Sequence, residues 1–133
     1  SGNSGASNIT TSKVTGDQIV ALAKKNLGVP YKWGGTTPSG FDCSGFVYYV
    51  LNSLGIKASR TLTAMYAQGT EVSKSNLKPG DVVFFKNTYK SGLSHVGIYV
   101  GNSVMIHCGD PISYTNLNSN YWQTHFYTYG RLP

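Results

Sequence analysis

The sequence predicts an α+β domain in which helices pack on an antiparallel sheet. Apolar residues of the first half recur at helical spacing, whereas those of the second half form short runs of strand length. The connections between these runs are short, as antiparallel strands allow. A chain of 133 residues is long enough for one compact domain with a core of its own.

The first predicted helix begins at a capping box. Thr15 is a candidate N-cap, and Gln18 follows three residues later. Apolar residues continue at helical spacing until Gly28, which can end the helix. The preceding residues 1–14 are small and polar without periodicity, so we predict a flexible linker or a cloning remnant followed by one folded domain at 15–133.

The second predicted helix follows a loop rich in glycine and proline at residues 29–41. Asp42 can cap this helix, and Gly55 can end it. Its surface is hydrophobic almost all round, which predicts a central and largely buried helix. A shorter third helix is predicted over residues 60–68.

The second half of the chain has the pattern of short β-strands. Four strands are predicted, over residues 82–85, 95–100, 103–108 and 127–132. Gly101 and Asn102 form a two-residue turn suited to a hairpin between the second and third of them.

The composition argues against a nucleic-acid surface and a membrane span, and it favours an extracellular setting. Lys and Arg number 11 against five acidic residues, but they are scattered, so we expect no nucleic-acid surface. No apolar run has the roughly 18 residues that a membrane span needs. Charged residues make up 12% of the chain, and ten tyrosines contribute to its surface. We therefore expect an extracellular setting and a basic surface that attracts polyanions, such as the teichoic acids or carboxylates of a bacterial wall.

Cys43 is the candidate nucleophile, because it lies at the predicted first turn of the second helix. Unpaired N–H groups and the positive end of the helix dipole lower the pKa of a thiol placed there. Two alternatives remain open: an inert packed thiol, and a disulfide between Cys43 and Cys108, the second of the two cysteines.

Two of the three histidines are candidates for the same site. His95 and His107 lie on adjacent predicted strands and face one another at the open end of the hairpin. Gly97 beside His95 leaves room for another group. A thiol and two rings together form a nucleophile, a base and an orienting group. His125 has no predicted partner.

A zinc site is the alternative for these histidines. Its ligands would be His95, His107, Cys108 and Asp110. Strand alternation, however, places His107 and Cys108 on opposite faces, and the chain has no Cys-x-x-Cys pair. We therefore expect no metal.

Four segments resemble, in order, the NlpC-type family of cysteine peptidases, which cut peptide stems of bacterial peptidoglycan. They are 30–35 (PYKWGG), 41–46 (FDCSGF), 77–84 (LKPGDVVF) and 94–99 (SHVGIY), with His107 one strand later. The resemblance implies a papain-like fold, in which the helix that carries the nucleophile packs on an antiparallel sheet. It implies no metal or cofactor.

The resemblance also implies roles for individual residues. Cys43 would be the nucleophile, His95 the general base and acid, and His107 the orienting group. The groove for the substrate would be lined by Tyr31, Trp33, Asp42, Ser44 and Ser94. The implied reaction is hydrolysis of the bond between the side-chain carboxyl of D-glutamate and a diamino acid, with stem peptides as the partner.

One segment departs from the family pattern. Many relatives carry Arg-Thr-Ser and a following Gln, whereas this chain has Arg60-Thr61-Leu62 and then Met65. We expect Leu62 and Met65 to make the groove more apolar. We also expect a monomer that is attached to an upstream domain in the parent protein. The rivals are an amidase or crossbridge peptidase of the same fold and a non-catalytic wall-binding module.

Overall fold

A computed structural model describes residues 14–132 as one antiparallel sheet with helices on its two faces. The helices are α1 (Gly16–Lys24), α2 (Cys43–Ser53), α3 (Leu62–Gln68) and α4 (Asn120–His125), with a 3₁₀ turn at Lys74–Asn76. The strands are β1 (Thr36–Thr37), β2 (Gly40–Phe41), β3 (Thr70–Val72), β4 (Val82–Lys86), β5 (Leu93–Gly101), β6 (Val104–Cys108), β7 (Ile112–Asn116) and β8 (Phe126–Arg131).

The six-stranded sheet has the order β3-β8-β4-β5-β6-β7, and every neighbouring pair is antiparallel. Strands β1 and β2 form a separate small hairpin before α2. This architecture confirms the α+β prediction. Among residues 14–132, no helix is both long and apolar enough to cross a bilayer.

The main core lies between the sheet and the first three helices. The strands alternate, so Phe84, Ile98 and Ile106 face this core, while Val83 and Met105 face the opposite side. On that opposite side the cover includes α4. The result is a sheet buried on both faces at its centre, where β4, β5 and β6 meet.

Helix α2 is the central buried element that the sequence predicts. Its side chains Phe46, Val47 and Val50 are fully buried in the main core. The Asp42 side chain caps it by accepting the Gly45 N–H. Gly45 itself lies against the Gly35 carbonyl oxygen, so a methyl group there would overlap the backbone of the preceding loop.

Helix α1 begins as predicted, with both hydrogen bonds of the Thr15–Gln18 capping box present. Residues 1–13 of the predicted linker lie outside the described residues, whereas Val14 packs against the core. The third helix begins at Leu62, two residues after the predicted start at residue 60.

The hairpin of β5 and β6 differs from the prediction. Asn102 and Ser103 form its turn, with φ of 53° and 61°, so the predicted turn at Gly101 and Asn102 is wrong by one residue. A register shift between Tyr99 and Gly101 then pairs His107 with Gly97 rather than with His95. The two histidines are diagonal neighbours on one face of the sheet.

Several elements were not predicted, among them the small hairpin of β1 and β2 within the predicted loop. Strand β3 is short and mostly exposed, β7 alternates between buried and exposed positions at a sheet edge, and α4 has no buried residue. None has a strong apolar pattern of its own, because each is held mainly by its neighbours.

Gly45→Ala is expected to destabilise the domain by about 1–3 kcal/mol, because the added methyl overlaps Gly35 and lies against the Asp42 cap. Chemical denaturation measures this change in the free energy of unfolding. Ser53→Ala, at an exposed position of the same helix, is the matched control and should be near neutral. Equal stability of Gly45→Ala and the parent would contradict the close contact.

Candidate active site

Cys43 is the first residue of α2 and lines an open cleft of about 890 Å³. Asp42, the N-cap, accepts the Gly45 N–H on Oδ1 at 2.6 Å, which fixes the first turn of the helix. His95 lines the same cleft from the sheet. The fold therefore brings the thiol and the first histidine to one surface, as the sequence predicts.

The thiol of Cys43 is held as a neutral group. Its Sγ lies 3.9 Å from the Ser94 carbonyl oxygen, to which it donates. Burial and then the Asp42 carboxylate raise its pKa, and these effects outweigh the backbone N–H groups of Ser44, Val96 and Cys43 itself. The prediction of a lowered pKa is therefore wrong, because the helix start is also a buried position beside a carboxylate.

The two histidines are joined by a direct hydrogen bond. Nε2 of His95 lies 2.8 Å from Nδ1 of His107. Nε2 of His107 lies 2.7 Å from Oγ1 of Thr115 on β7. Within the described part of the chain, no hydrogen bond occupies Nδ1 of His95, so this nitrogen has no other partner there.

Burial keeps both rings uncharged. It lowers the pKa of His95 to about 3, with a further contribution from neighbouring His107. Burial alone lowers the pKa of His107 to about 4. A neutral His95 ring keeps a lone pair on one of its two nitrogens.

Gly97 and Trp122 shape the space around the rings. A Cβ on Gly97 would lie 2.6 Å from Met105 Sδ and 3.1 Å from His107 Cβ, so glycine is what lets the second ring fit. The Trp122 ring packs against both imidazoles, with centroid distances of 5.4 Å to His95 and 5.2 Å to His107. The Trp122 ring thus covers part of the surface of both imidazoles.

Four of the predicted substrate residues line the cleft: Tyr31, Trp33, Asp42 and Ser44. Trp33 is 80% exposed, so it is free to stack on a ligand. Tyr89 and Lys90 also line the cleft, from the loop between β4 and β5, although they are not among the predicted substrate residues. They lie in a short loop with no chemical motif, so the sequence offered no signal for them.

Ser94 has a different place from the one expected. Its side chain is fully buried, and its hydroxyl pairs with the N–H and Oγ1 of Thr88 at 2.9 and 2.6 Å. It holds the loop that carries Tyr89 and Lys90, and it offers a carbonyl to Cys43. Ser94 therefore supports the site without facing the cleft.

The segment that departs from the family pattern, residues 60–65, contributes one apolar residue and one cation to the site. Leu62 lines the cleft, whereas Met65 is fully buried in the core, so the expectation that Met65 lines the groove is wrong. Arg60 donates to Asp42 Oδ2 at 2.8 Å and to Ser44 Oγ at 2.9 Å. The sequence predicts no role for Arg60, and only its distance to the Asp42 carboxylate reveals one.

The structure shows no disulfide between the two cysteines, and Cys108 is the packed thiol that the sequence left open. Both thiols are free, and Cys108 Sγ donates to the Phe41 carbonyl at 3.0 Å, with a pKa raised to about 12 by burial. Among residues 14–132, no three His, Cys, Asp or Glu side chains are grouped to hold a metal ion. His125 contacts the Lys86 carbonyl at 3.0 Å and belongs to another part of the molecule.

Comparison with known proteins gives a family match and several relatives. Residues 28–131 match the sequence model of the NlpC/P60 family. The probable peptidoglycan endopeptidase LytE of Bacillus subtilis is 50% identical over 110 residues, which are 82% of this chain and 32% of that protein. The gamma-DL-glutamyl hydrolase of Bacillus subtilis is 45% identical over 125 residues, which are 90% of this chain and 30% of that protein. The chain spans about a third of the length of these relatives.

The fold has a solved counterpart. A protein of Staphylococcus aureus described as similar to a lipoprotein of the NLP/P60 family superposes with a TM-score of 0.83 and 37% identity. The match covers 88% of this chain and 41% of that one.

Alkylation of Cys43 is expected to accelerate steadily with pH. A raised thiol pKa makes thiolate scarce at neutral pH, and a His95 pKa of about 3 removes the imidazolium that would stabilise it. The rate with iodoacetamide should rise about tenfold per unit between about pH 6 and 8. Cys43→Ala, which keeps only Cys108, reports the background. A rate plateau below about pH 7 would contradict the neutral resting pair.

Proposed function

The chain belongs to the NlpC/P60 family of cysteine peptidases, and we propose that it hydrolyses the bond between the γ-carboxyl of D-glutamate and the diamino acid of peptidoglycan stems. The observation that carries this proposal is the meeting of Cys43 and His95 in one cleft, with His107 hydrogen-bonded behind His95. LytE is named as a probable peptidoglycan endopeptidase and the other Bacillus subtilis relative as a gamma-DL-glutamyl hydrolase, and both names support this substrate class.

Acylation begins from the neutral pair. As the Cys43 sulfur attacks the scissile carbonyl carbon, its proton passes to Nδ1 of His95. His95 then becomes imidazolium and donates its Nε2–H to Nδ1 of His107. The N–H groups of Cys43 and Ser44, which already act on the sulfur, lie where the oxyanion develops.

The intermediate then collapses. The carbon–nitrogen bond breaks, and His95 delivers its proton to the leaving amine of the diamino acid. A thioester joins the γ-carbonyl of glutamate to Cys43. Water attacks this thioester with His95 again as the base, and the free carboxyl and the thiol are released.

The cleft offers aromatic, apolar and charged contacts to a bound peptide. Tyr31 and Trp33 offer exposed aromatic surface, and Leu62 offers an apolar wall. Asp42 is already bound to Arg60 and to the Gly45 N–H. Recognition of an amine on the stem by Asp42 would therefore be shared with Arg60, and we do not require a free N-terminal alanine.

We also propose that the domain acts on the outer side of the bacterial cell, at the wall, as part of a longer protein. The names of the relatives place peptidoglycan in the activity of LytE, and this chain corresponds to 32% of its length. The net charge of +6 suits a substrate rich in carboxylates. A monomeric state remains a prediction.

Digestion of intact sacculi identifies the bond that is cut. We expect fragments that end in disaccharide–L-Ala–D-Glu, because whole stems fit an open cleft, and mass spectrometry of the muropeptides detects them. Cys43→Ala should release no fragments, while Cys108→Ser should retain most turnover because serine can also donate to the Phe41 carbonyl.

Other products would favour the rivals. New L-Ala termini would favour an amidase, and cuts confined to crossbridges would favour a crossbridge peptidase. Binding to sacculi without any release would favour a wall-binding module.

His95→Gln and His107→Gln are expected to differ. An amide cannot transfer the proton, so His95→Gln should lose about a hundredfold or more in kcat/KM. The amide oxygen of His107→Gln can still accept from His95 Nε2, so its loss should be clearly smaller. His125→Gln, the same change outside the cleft, is the control. The reverse ranking of the first two variants would show that their roles are exchanged.

A further inference from the structure

We propose that Thr115 is a positioning residue that holds His107 in the tautomer required by the catalytic His95. The inference rests on the proposed function, because it takes Cys43 and His95 as the reacting pair. Thr115 would be the fourth member of a series that begins with Cys43, His95 and His107. It lies on β7, a strand that the sequence did not predict.

The contact is direct and occupies the last free nitrogen of His107. Oγ1 of Thr115 lies 2.7 Å from Nε2, while Nδ1 is used by His95. Among the described residues, no other group is hydrogen-bonded to this Nε2. His107 is only 5% exposed, so water is a poor substitute for the hydroxyl.

The direction of each hydrogen bond decides whether His95 can act as a base. For Nδ1 of His95 to carry a lone pair in the neutral ring, its Nε2 must carry the proton and donate it to His107 Nδ1. His107 then holds its own proton on Nε2 and donates to Thr115. The hydroxyl oxygen is the acceptor that makes this arrangement favourable.

The same arrangement serves the charged intermediate. When His95 is imidazolium, both of its nitrogens are donors, so His107 must accept on Nδ1 and carry its proton on Nε2. Without an acceptor at position 115, this proton would be buried and unpaired. Loss of the hydroxyl should therefore disfavour the step in which charge develops and leave substrate binding unchanged.

The strand register explains how Thr115 reaches the ring. On β7, Thr115 pairs with Met105 of β6, and Ser113 pairs with His107 itself. Side chains of Met105 and His107 share one face, and Thr115 points to that face from the neighbouring strand. Ser113 is half-buried on the same strand and makes no described hydrogen bond to the ring, so it provides a matched control.

The test compares Thr115→Val, Thr115→Ser and Ser113→Ala in hydrolysis of stem peptides and in ¹⁵N NMR of the histidine rings. Thr115→Val keeps the shape and removes the hydroxyl; we expect kcat to fall about tenfold or more with little change in KM. Thr115→Ser should restore most of kcat, and Ser113→Ala should match the parent. In the free protein, the ¹⁵N shifts should show His107 protonated on Nε2 in the parent and altered in Thr115→Val.

Two results would overturn the role of Thr115: a Thr115→Val protein with parental kcat and an unchanged tautomer, or a Thr115→Ser protein as impaired as Thr115→Val. Thermal denaturation checks that the variants are folded, and Thr115→Ser provides the test if Thr115→Val is not. An inactive parent that shows the expected tautomer would contradict the proposed function and not this hydrogen bond.

Discussion

The carboxylate of Asp42 organises the start of α2 and the rim of the cleft at the same time. Oδ1 accepts the Gly45 N–H at 2.6 Å, and Oδ2 accepts from Arg60 at 2.8 Å. The cap determines where the helix begins and so where the Cys43 sulfur lies. Burial and then this same charge raise the pKa of the thiol, so the proposed mechanism needs proton transfer to His95.

The electrostatics of the site follow from this dependence. Burial disfavours the charged forms of both Cys43 and His95, so both side chains are uncharged before substrate binds. In the proposed mechanism, charge separation accompanies attack on a bound carbonyl, when the N–H groups of α2 and the ring of His107 would stabilise it. Such an arrangement protects the thiol from reaction in the absence of substrate.

Local features of the sequence were sufficient for α1, α2 and the central strands, because caps and apolar stripes act over a few residues. The candidates Cys43, His95 and His107 rested on the helix start, the strand pattern and the family resemblance. Thr115 and Arg60 could not be assigned, since their roles arise from strand pairing and from a contact between distant segments. The pKa of Cys43 depends on burial, which no short motif encodes.

Trapping the acyl-enzyme is the most direct test of the proposal that Cys43 forms a thioester with the γ-carboxyl of glutamate. Stem peptide is mixed with the protein, the reaction is quenched in acid, and the adduct is located by mass spectrometry. We expect an adduct on Cys43 with the mass of the fragment that ends in glutamate, and we expect no such adduct in Cys43→Ala. An adduct that contains the diamino acid, or one attached to another residue, would contradict it.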